Sequence, residues 1–206
     1  MLKNNKNKII NIFFILLKLY NMSNNNNDDI NIMKKIRNDL PKKVKDFLYK
    51  IEDNLETDLY YYGSINRPDY HHGKSDIDIA IFTDNFNSTI LKLQNILKVK
   101  YSDFDKVKWM LYGNNINGYK IKCSKFIDIK CEIAIYDNKD KNIVIDDLKN
   151  YNYVPWYILY CLFILKTFHY TIPIIPHKNY VSLKIFLFNT LNNKNTNYSV
   201  IKQNNK

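Results

Sequence analysis

Two segments of the 206-residue sequence alternate apolar and polar residues with the period of a β-strand. They are IDIAIF at residues 77–82 and FIDIKCEIAIY at residues 126–136. Successive side chains of a strand point to opposite faces of a sheet, so one face of each segment is a row of apolar residues and the other carries acids. Strands with one apolar face need neighbouring strands and a covering layer, and this requirement limits the possible folds more than any other feature of the sequence.

Helical and strand patterns alternate along the rest of the chain. Apolar residues three and four positions apart predict helices at about 40–55, 88–99, 143–150, 155–170 and 178–191. Ser88 is the expected cap of the second of these helices. The segment LYYY predicts a strand that stops at Gly63, and KVKWMLY and YKIKC flank GNNING as the two strands of a hairpin. The sequence therefore predicts an α+β fold with a mixed β-sheet of about four to five strands and packed helices.

The two ends of the chain differ in composition from its middle. We expect an apolar N-terminal segment and Asn-rich linker at 1–29, a folded domain at 30–190 and a polar tail at 191–206. The apolar run at 9–20 contains Asn11 and Lys18 and is shorter than the roughly 20 residues that span a bilayer, so we expect no membrane span.

The cysteines bear on the compartment. The three cysteines have no CxxC spacing and lie in apolar segments, which indicates reduced core thiols and a cytoplasmic protein.

The net charge of +11 suggests an anionic partner, such as RNA. Asn, Lys, Ile and Tyr dominate the composition, however, and only two of the 31 basic residues, Arg37 and Arg67, are arginines. Charge alone is therefore weak evidence for nucleic-acid binding.

Two carboxylates share one face at the start of the first alternating segment, Asp76 just before it and Asp78 within it. Asp76 and Asp78 are two residues apart, which places their side chains about 6 to 7 Å from each other on an extended strand. Their mutual repulsion requires a positive partner, and hard oxygen ligands of this kind suit Mg²⁺. The alternative is a half-exposed edge strand with solvated aspartates.

Glycine is scarce, and two of the four glycines, Gly63 and Gly73, lie within the stretch GSINRPDYHHGKSDID. Gly63 stands where the first strand turns, so its bare backbone would let a triphosphate approach, with nearby N–H groups and the Ser64 hydroxyl as hydrogen-bond donors.

Two cationic side chains of the same stretch are further candidates for binding phosphate. The guanidinium of Arg67 suits phosphate oxygens, although Asp69 is an equally good salt-bridge partner. Lys74 would neutralise the aspartates or a phosphate, or is simply solvated.

Gly63-Ser64 followed by Asp76-Ile77-Asp78 at the start of an apolar strand resembles the signature of the nucleotidyltransferase superfamily, with its DNA polymerase beta-like and poly(A) polymerase-like catalytic cores. The resemblance implies transfer of a nucleoside monophosphate from an NTP, such as ATP, to a hydroxyl acceptor with release of pyrophosphate. It implies Mg²⁺ or Mn²⁺ as cofactor, bound by the aspartates, and β- and γ-phosphates held by Gly63 and Ser64.

The family pattern also requires a third carboxylate on a neighbouring strand. Glu132 is favoured because it is flanked by apolar strand residues, and Asp128 on the same face is the alternative. The resemblance further implies a phosphate-contacting lysine on a helix after the sheet, for which Lys166 is the candidate, although a lysine snorkelling from a core helix explains it as well.

Other functions remain open at the level of the sequence. The acceptor is not identified, and RNA, a protein side chain and a small molecule are all compatible with it. The residues after Glu132 are too few for the large helical domain that selects base and acceptor in poly(A) polymerases. This favours a compact enzyme or one with a protein partner. The alternatives are a non-catalytic nucleotide-binding module, regulatory or antitoxin-like, and a lysine-rich RNA-binding protein.

Overall fold

A computed structural model of the protein describes residues 29–123, 128–190 and 197–201. The apolar N-terminal segment lies outside these residues. Within them the chain forms two compact units: the larger contains 29–66, 70–152 and 197–201, and the smaller contains 67–69 and 153–190. The range predicted as one domain, 30–190, includes residues of both units.

The larger unit is built on a mixed β-sheet. Six strands among the described residues form it in the order β1-β2-β5-β4-β3-β6. The strands are β1 Tyr60–Tyr62, β2 Ile77–Thr83, β3 Asp105–Leu111, β4 Asn114–Lys122, β5 Cys131–Asp137 and β6 Asn197–Ile201. Strands β2 and β5 are parallel, and the other neighbours are antiparallel. The α+β class and the mixed sheet are confirmed, while β6 is an additional strand within the segment expected to be a polar tail.

Helices cover both faces of this sheet. They are α1 Asp29–Lys34, α2 Lys42–Leu55, α3 Phe86–Leu97 and α4 Lys141–Asn152. Buried residues of α2 and α3 join the isoleucines of β2 in one core cluster, and buried residues of α4 join Ala80, Phe82 and Tyr136 in a second. Asp78 and Glu132 are on the same face as Ala80 and Ala134 of this second cluster, nearer the beginnings of β2 and β5.

The observed start of α3 differs from the prediction. The helix begins at Phe86, and the side chain of Asn85 caps it by accepting a hydrogen bond of 3.1 Å from the Ser88 N–H. Ser88 is therefore not the cap: it is the third residue of the helix, and its N–H is the group that the N-cap side-chain oxygen of Asn85 accepts from.

The hairpin is present, but its turn is shorter than GNNING. Tyr112 and Gly113 form the turn with φ values of 49° and 82°, and Leu111 pairs with Asn114. Positive φ at both central residues is the geometry that matches the twist of two-residue hairpins. Residues 114–118 therefore belong to β4.

The smaller unit contains α5, Trp156–Tyr170, and α6, His177–Asn189. Ile158, Leu159 and Leu162 of α5 form a cluster against which Leu187 and Phe188 of α6 pack.

The cysteines are free, and their burial corrects one expectation. Cys123 and Cys131 are buried, but Cys161 on α5 is exposed and so is not the predicted core thiol. No helix of the described residues is long and apolar enough to cross a membrane.

Candidate active site

Strand β2 carries the two aspartates of the predicted metal site at its beginning. Asp76 immediately precedes the strand and is exposed, whereas Asp78 is the second residue of the strand and is half-buried. Ile77, Ile79 and Ile81 are buried in the core with at most 2% of their surface exposed. The strand alternation therefore leaves Asp78 on the face opposite the isoleucines.

Asp78 has an in-register neighbour on each side. Tyr62 of β1 lies beside it in the antiparallel pair, and Glu132 of β5 lies beside it in the parallel pair. Burial raises the pKa of the Tyr62 phenol, and neighbouring Tyr136 and the two carboxylates raise it further. A neutral hydroxyl group therefore lies beside a pair of carboxylates, and nothing in the sequence beyond the run of tyrosines pointed to it.

The register distinguishes between the two candidates for a third carboxylate. Strand β5 begins at Cys131, so Glu132 is its second residue and faces Asp78 across the parallel pair. Asp128 precedes the strand, its side chain is 100% exposed, and its Oδ2 lies 3.6 Å from Nζ of Lys43. The strand is shorter than the predicted 126–136, and residues 124–127 lie outside the described part of the chain.

Two lysines of β4 adjoin Glu132. Nζ of Lys120 lies 2.6 Å from Oε1 of Glu132, and Nζ of Lys122 lies 3.7 Å from Oε2. Sequence analysis did not select either lysine. The segment YKIKC places both on one face of a strand, but nothing in the sequence shows which strand is the neighbour of β4.

The turn after β1 brings backbone against the Asp78 carboxylate. Gly63 has φ of +75°, and a Cβ at this position would stand 2.9 Å from Oδ2 of Asp78. Its N–H donates a hydrogen bond of 2.8 Å to Oδ1 of Asn152, the last residue of α4. The Gly63 amide, expected to serve a triphosphate, is thus engaged within the protein. Glycine is required here for its backbone angle and for the close approach of Asp78.

Asn152 supports this turn from the end of α4, and sequence analysis missed it. It is buried, and its Nδ2 has no hydrogen-bond partner among the described residues. The Gly63 N–H requires an acceptor, which fixes Oδ1 on its side and leaves the Nδ2 donor on the other. A buried donor of this kind is costly unless a ligand or water completes it.

The other residues of the predicted phosphate loop are more exposed. Ser64 is half-buried in the short 3-10 turn Gly63–Asn66. Lys74 is exposed in a turn closed by the Ser75 N–H, which donates to the carbonyl oxygen of His71 at 2.9 Å. Gly73 in the same turn has φ of +68° with open space around it.

Arg67 and Lys166 lie in the smaller unit and share one buried carboxylate, that of Asp69. Nε of Arg67 lies 2.8 Å from Oδ1 of Asp69, and Nζ of Lys166 lies 2.8 Å from Oδ2. Burial of the Asp69 carboxyl acts to raise its pKa, but the two cations and their hydrogen bonds outweigh burial and hold the pKa below its usual range.

Both cations therefore stabilise the smaller unit through Asp69. For Arg67 the sequence had left this alternative open beside phosphate binding. For Lys166 it had not been foreseen.

The residues around Asp78 fit a divalent cation in kind. Asp76, Asp78 and Glu132 supply hard oxygen donors, and the missing Cβ of Gly63 leaves space beside one of them. No group of three or more His, Cys, Asp and Glu side chains in the part of the chain that the structure describes is arranged to hold a metal ion. Glu132 instead contacts the two lysines of β4.

The sequence matches the nucleotidyltransferase domain over residues 33–169, which is more than half of the chain. The chain belongs to the nucleotidyltransferase domain family. The matched range of this nucleotidyltransferase domain includes the Gly63 turn and the strands of Asp78 and Glu132, so the resemblance seen in the sequence is confirmed. No curated protein matches the chain.

The chain is also similar to two solved structures. One is described as a cytoplasmic RNA terminal U-transferase, with 14% identity and a TM-score of 0.35. The other is described as Cid1 in complex with its short product ApU, with 12% identity and a TM-score of 0.34. Each comparison covers 75% of this chain and 46% of the other, so the chain spans less than half the length of either protein.

Proposed function

We propose that the protein is a metal-dependent enzyme that transfers a nucleoside monophosphate from an NTP to a hydroxyl acceptor and releases pyrophosphate. The observation that carries the proposal is the register of β2 and β5, which places Glu132 beside Asp78 next to the Gly63 turn in a chain of the nucleotidyltransferase family. In the reaction the acceptor oxygen forms a bond to the α-phosphorus, and the acceptor hydroxyl loses its proton. The bond between the α-phosphorus and the oxygen that joins it to the β-phosphorus breaks, and pyrophosphate leaves with that oxygen.

The residues of the site have different roles in this reaction. Asp76, Asp78 and Glu132 would hold Mg²⁺ or Mn²⁺ through carboxylate oxygens. A divalent cation bound there supplies positive charge that offsets the charge of the triphosphate and favours ionisation of the acceptor hydroxyl. The Ser64 hydroxyl donates to the β- and γ-phosphates, while Asn152 holds the turn through the Gly63 amide.

The acceptor and the compartment are parts of the same proposal. We propose a cytoplasmic enzyme, for which the free state of all three cysteines is the support. RNA is the acceptor class to test first because the chain carries a net charge of +11. A protein side chain and a small molecule are the alternatives.

The test is incubation of the purified protein with each α-labelled NTP, Mg²⁺ or Mn²⁺, and either total RNA or a protein extract. Asp76→Ala and Asp78→Ala should each lose well over tenfold in turnover, because each removes an oxygen ligand. Asp46→Ala is the matched control, since Asp46 is an exposed aspartate of α2.

Each result of this assay has a definite meaning. Label transferred by the wild type and by Asp46→Ala but not by the two site variants would support the proposal and identify the acceptor class. Metal-dependent NTP binding without transfer would indicate a regulatory nucleotide-binding module. RNA binding that survives Asp76→Ala, without NTP binding, would indicate a lysine-mediated RNA-binding protein.

A further inference from the structure

Glu132 lies between two lysines of unequal exposure. Lys122 pairs with Glu132 in the register of β4 and β5, and Lys120 lies one diagonal step further along the same face, opposite Ala134. The diagonal lysine makes the closer contact, 2.6 Å against 3.7 Å. Its side chain is 22% exposed and that of Lys122 is 62% exposed, so the two lysines are not equivalent partners.

The shorter contact involves a partly buried carboxylate. The Glu132 side chain is 16% exposed, and screening by water is weaker there than at an open surface. An ammonium group 2.6 Å from Oε1 occupies the place where a cation would have to stand to coordinate that oxygen. A divalent cation and the Lys120 ammonium group would also repel each other at such a distance.

We propose that Lys120 is a positioning residue that serves as the counterion of Glu132 in the metal-free site and must be displaced before a divalent cation binds there. Lys120 therefore weakens metal binding and sets the metal concentration at which the site fills. This inference rests on the proposed function, because the competing cation is the one that the transfer reaction requires. Lys122, which is more exposed and further away, contributes less.

The test is a titration of the purified full chain with Mn²⁺ in the absence of nucleotide. The electron paramagnetic resonance signal of free Mn²⁺ gives the affinity. Lys120→Met should bind Mn²⁺ about fivefold more tightly than the wild type, which is the upper value for a partly exposed ion pair. Lys120→Arg retains the charge and the reach, so it should restore the wild-type affinity to within about twofold. Lys122→Met is the matched control and should also remain within about twofold.

The possible failures separate the inference from the function. Unchanged or weaker binding by Lys120→Met would overturn the inference, as would equal tightening by Lys120→Met and Lys122→Met, which would indicate a general charge effect. Asp78→Ala and Glu132→Ala must bind Mn²⁺ more weakly than the wild type. If both retained wild-type affinity, the proposed metal site itself would be wrong.

Urea unfolding of each variant shows whether it is folded. If Lys120→Met does not fold, Lys120→Gln, which also removes the charge, replaces it and should show the same tightening of about fivefold. Wild-type affinity of a folded Lys120→Gln would overturn the inference.

Discussion

Gly63 and Asp78 are 15 residues apart in sequence but so close in space that a Cβ on Gly63 would stand 2.9 Å from Oδ2 of Asp78, too near for a side-chain carbon. The antiparallel pairing of β1 and β2 produces this approach, because it places Tyr62, the residue before Gly63, beside Asp78. The turn and the acid are therefore one structural unit. The spacing of Gly-Ser and the aspartates in the sequence reflects the length of chain needed to form it.

Gly63→Ala should disrupt both the fold and the site. The positive φ of +75° and the crowding by Asp78 together should cost about 2–4 kcal/mol in the free energy of unfolding, measured by urea denaturation. Because relief of the crowding must move the Asp78 carboxylate, NTP turnover should fall well over tenfold in the protein that remains folded.

Gly73→Ala separates these two causes. Gly73 has φ of +68° with no atom within 4 Å of a Cβ placed there, so its substitution carries only the backbone strain of about 1–2 kcal/mol. We expect the specific activity of its folded fraction to stay within about threefold of the wild type. If Gly63→Ala and Gly73→Ala lowered turnover equally, the close approach of Gly63 to Asp78 would not be what turnover requires.

Glu132→Gln should remove the third carboxylate while preserving its shape. Turnover should fall roughly a hundredfold, because an amide is a weak ligand for Mg²⁺ and cannot accept a proton. Asp128→Asn is the matched change at the fully exposed acid before β5 and should leave turnover within about twofold. The reverse result would assign the third carboxylate to Asp128.

Asn152→Ala should weaken the turn that holds Ser64. The Gly63 N–H would lose its acceptor, a loss of about 1–3 kcal/mol in unfolding free energy for a buried donor. Displacement of the turn should lower kcat/KM for the NTP by roughly tenfold. Asn150→Ala, at an exposed asparagine two residues earlier on α4, should change stability by less than about 0.5 kcal/mol. Equal destabilisation by the two variants would argue against the Gly63 hydrogen bond.

Asp69→Asn should be among the most destabilising single changes, because it leaves two buried cations without their carboxylate. We expect a loss of about 3–5 kcal/mol at pH 7. The pKa of Asp69 is lowered in the folded state, so its contribution is complete above the unfolded pKa and declines as the pH falls below it. The penalty at pH 3 should therefore be about 1 kcal/mol smaller than at pH 7.

Asp39→Asn is the control for this measurement. Arg37 and Asp39 form the same Arg-x-Asp pair at 2.6 Å, but the Asp39 side chain is 50% exposed, so its loss should cost less than about 1 kcal/mol. Similar unfolding free energies for the two variants by urea denaturation at pH 7 would show that burial of the Asp69 cluster does not stabilise the fold.

The sequence alone predicted the elements whose signals are local. The alternation in IDIAIF determines that the isoleucines and Asp78 occupy opposite faces, whichever strands lie beside them. Scarce glycine and the Gly-Ser turn before that strand predicted where the chain bends, and helix periodicity predicted α2, α4, α5 and α6 to within a few residues. Helix α3 was predicted to the same accuracy, although its cap is Asn85 and not Ser88. The boundary was least accurate at β5, because its pairing begins only at Cys131.

Only the tertiary structure decided which residues meet. The parallel register of β2 and β5 selects Glu132 over Asp128 as the neighbour of Asp78, and the pairing of β4 with β5 brings Lys120 to Glu132. The fold also brings Arg67 and Lys166, two candidate phosphate ligands, to the buried carboxylate of Asp69. The physical reason is that alternation and propensity act over a few residues, whereas register and charge pairing depend on contacts between segments that are distant in sequence.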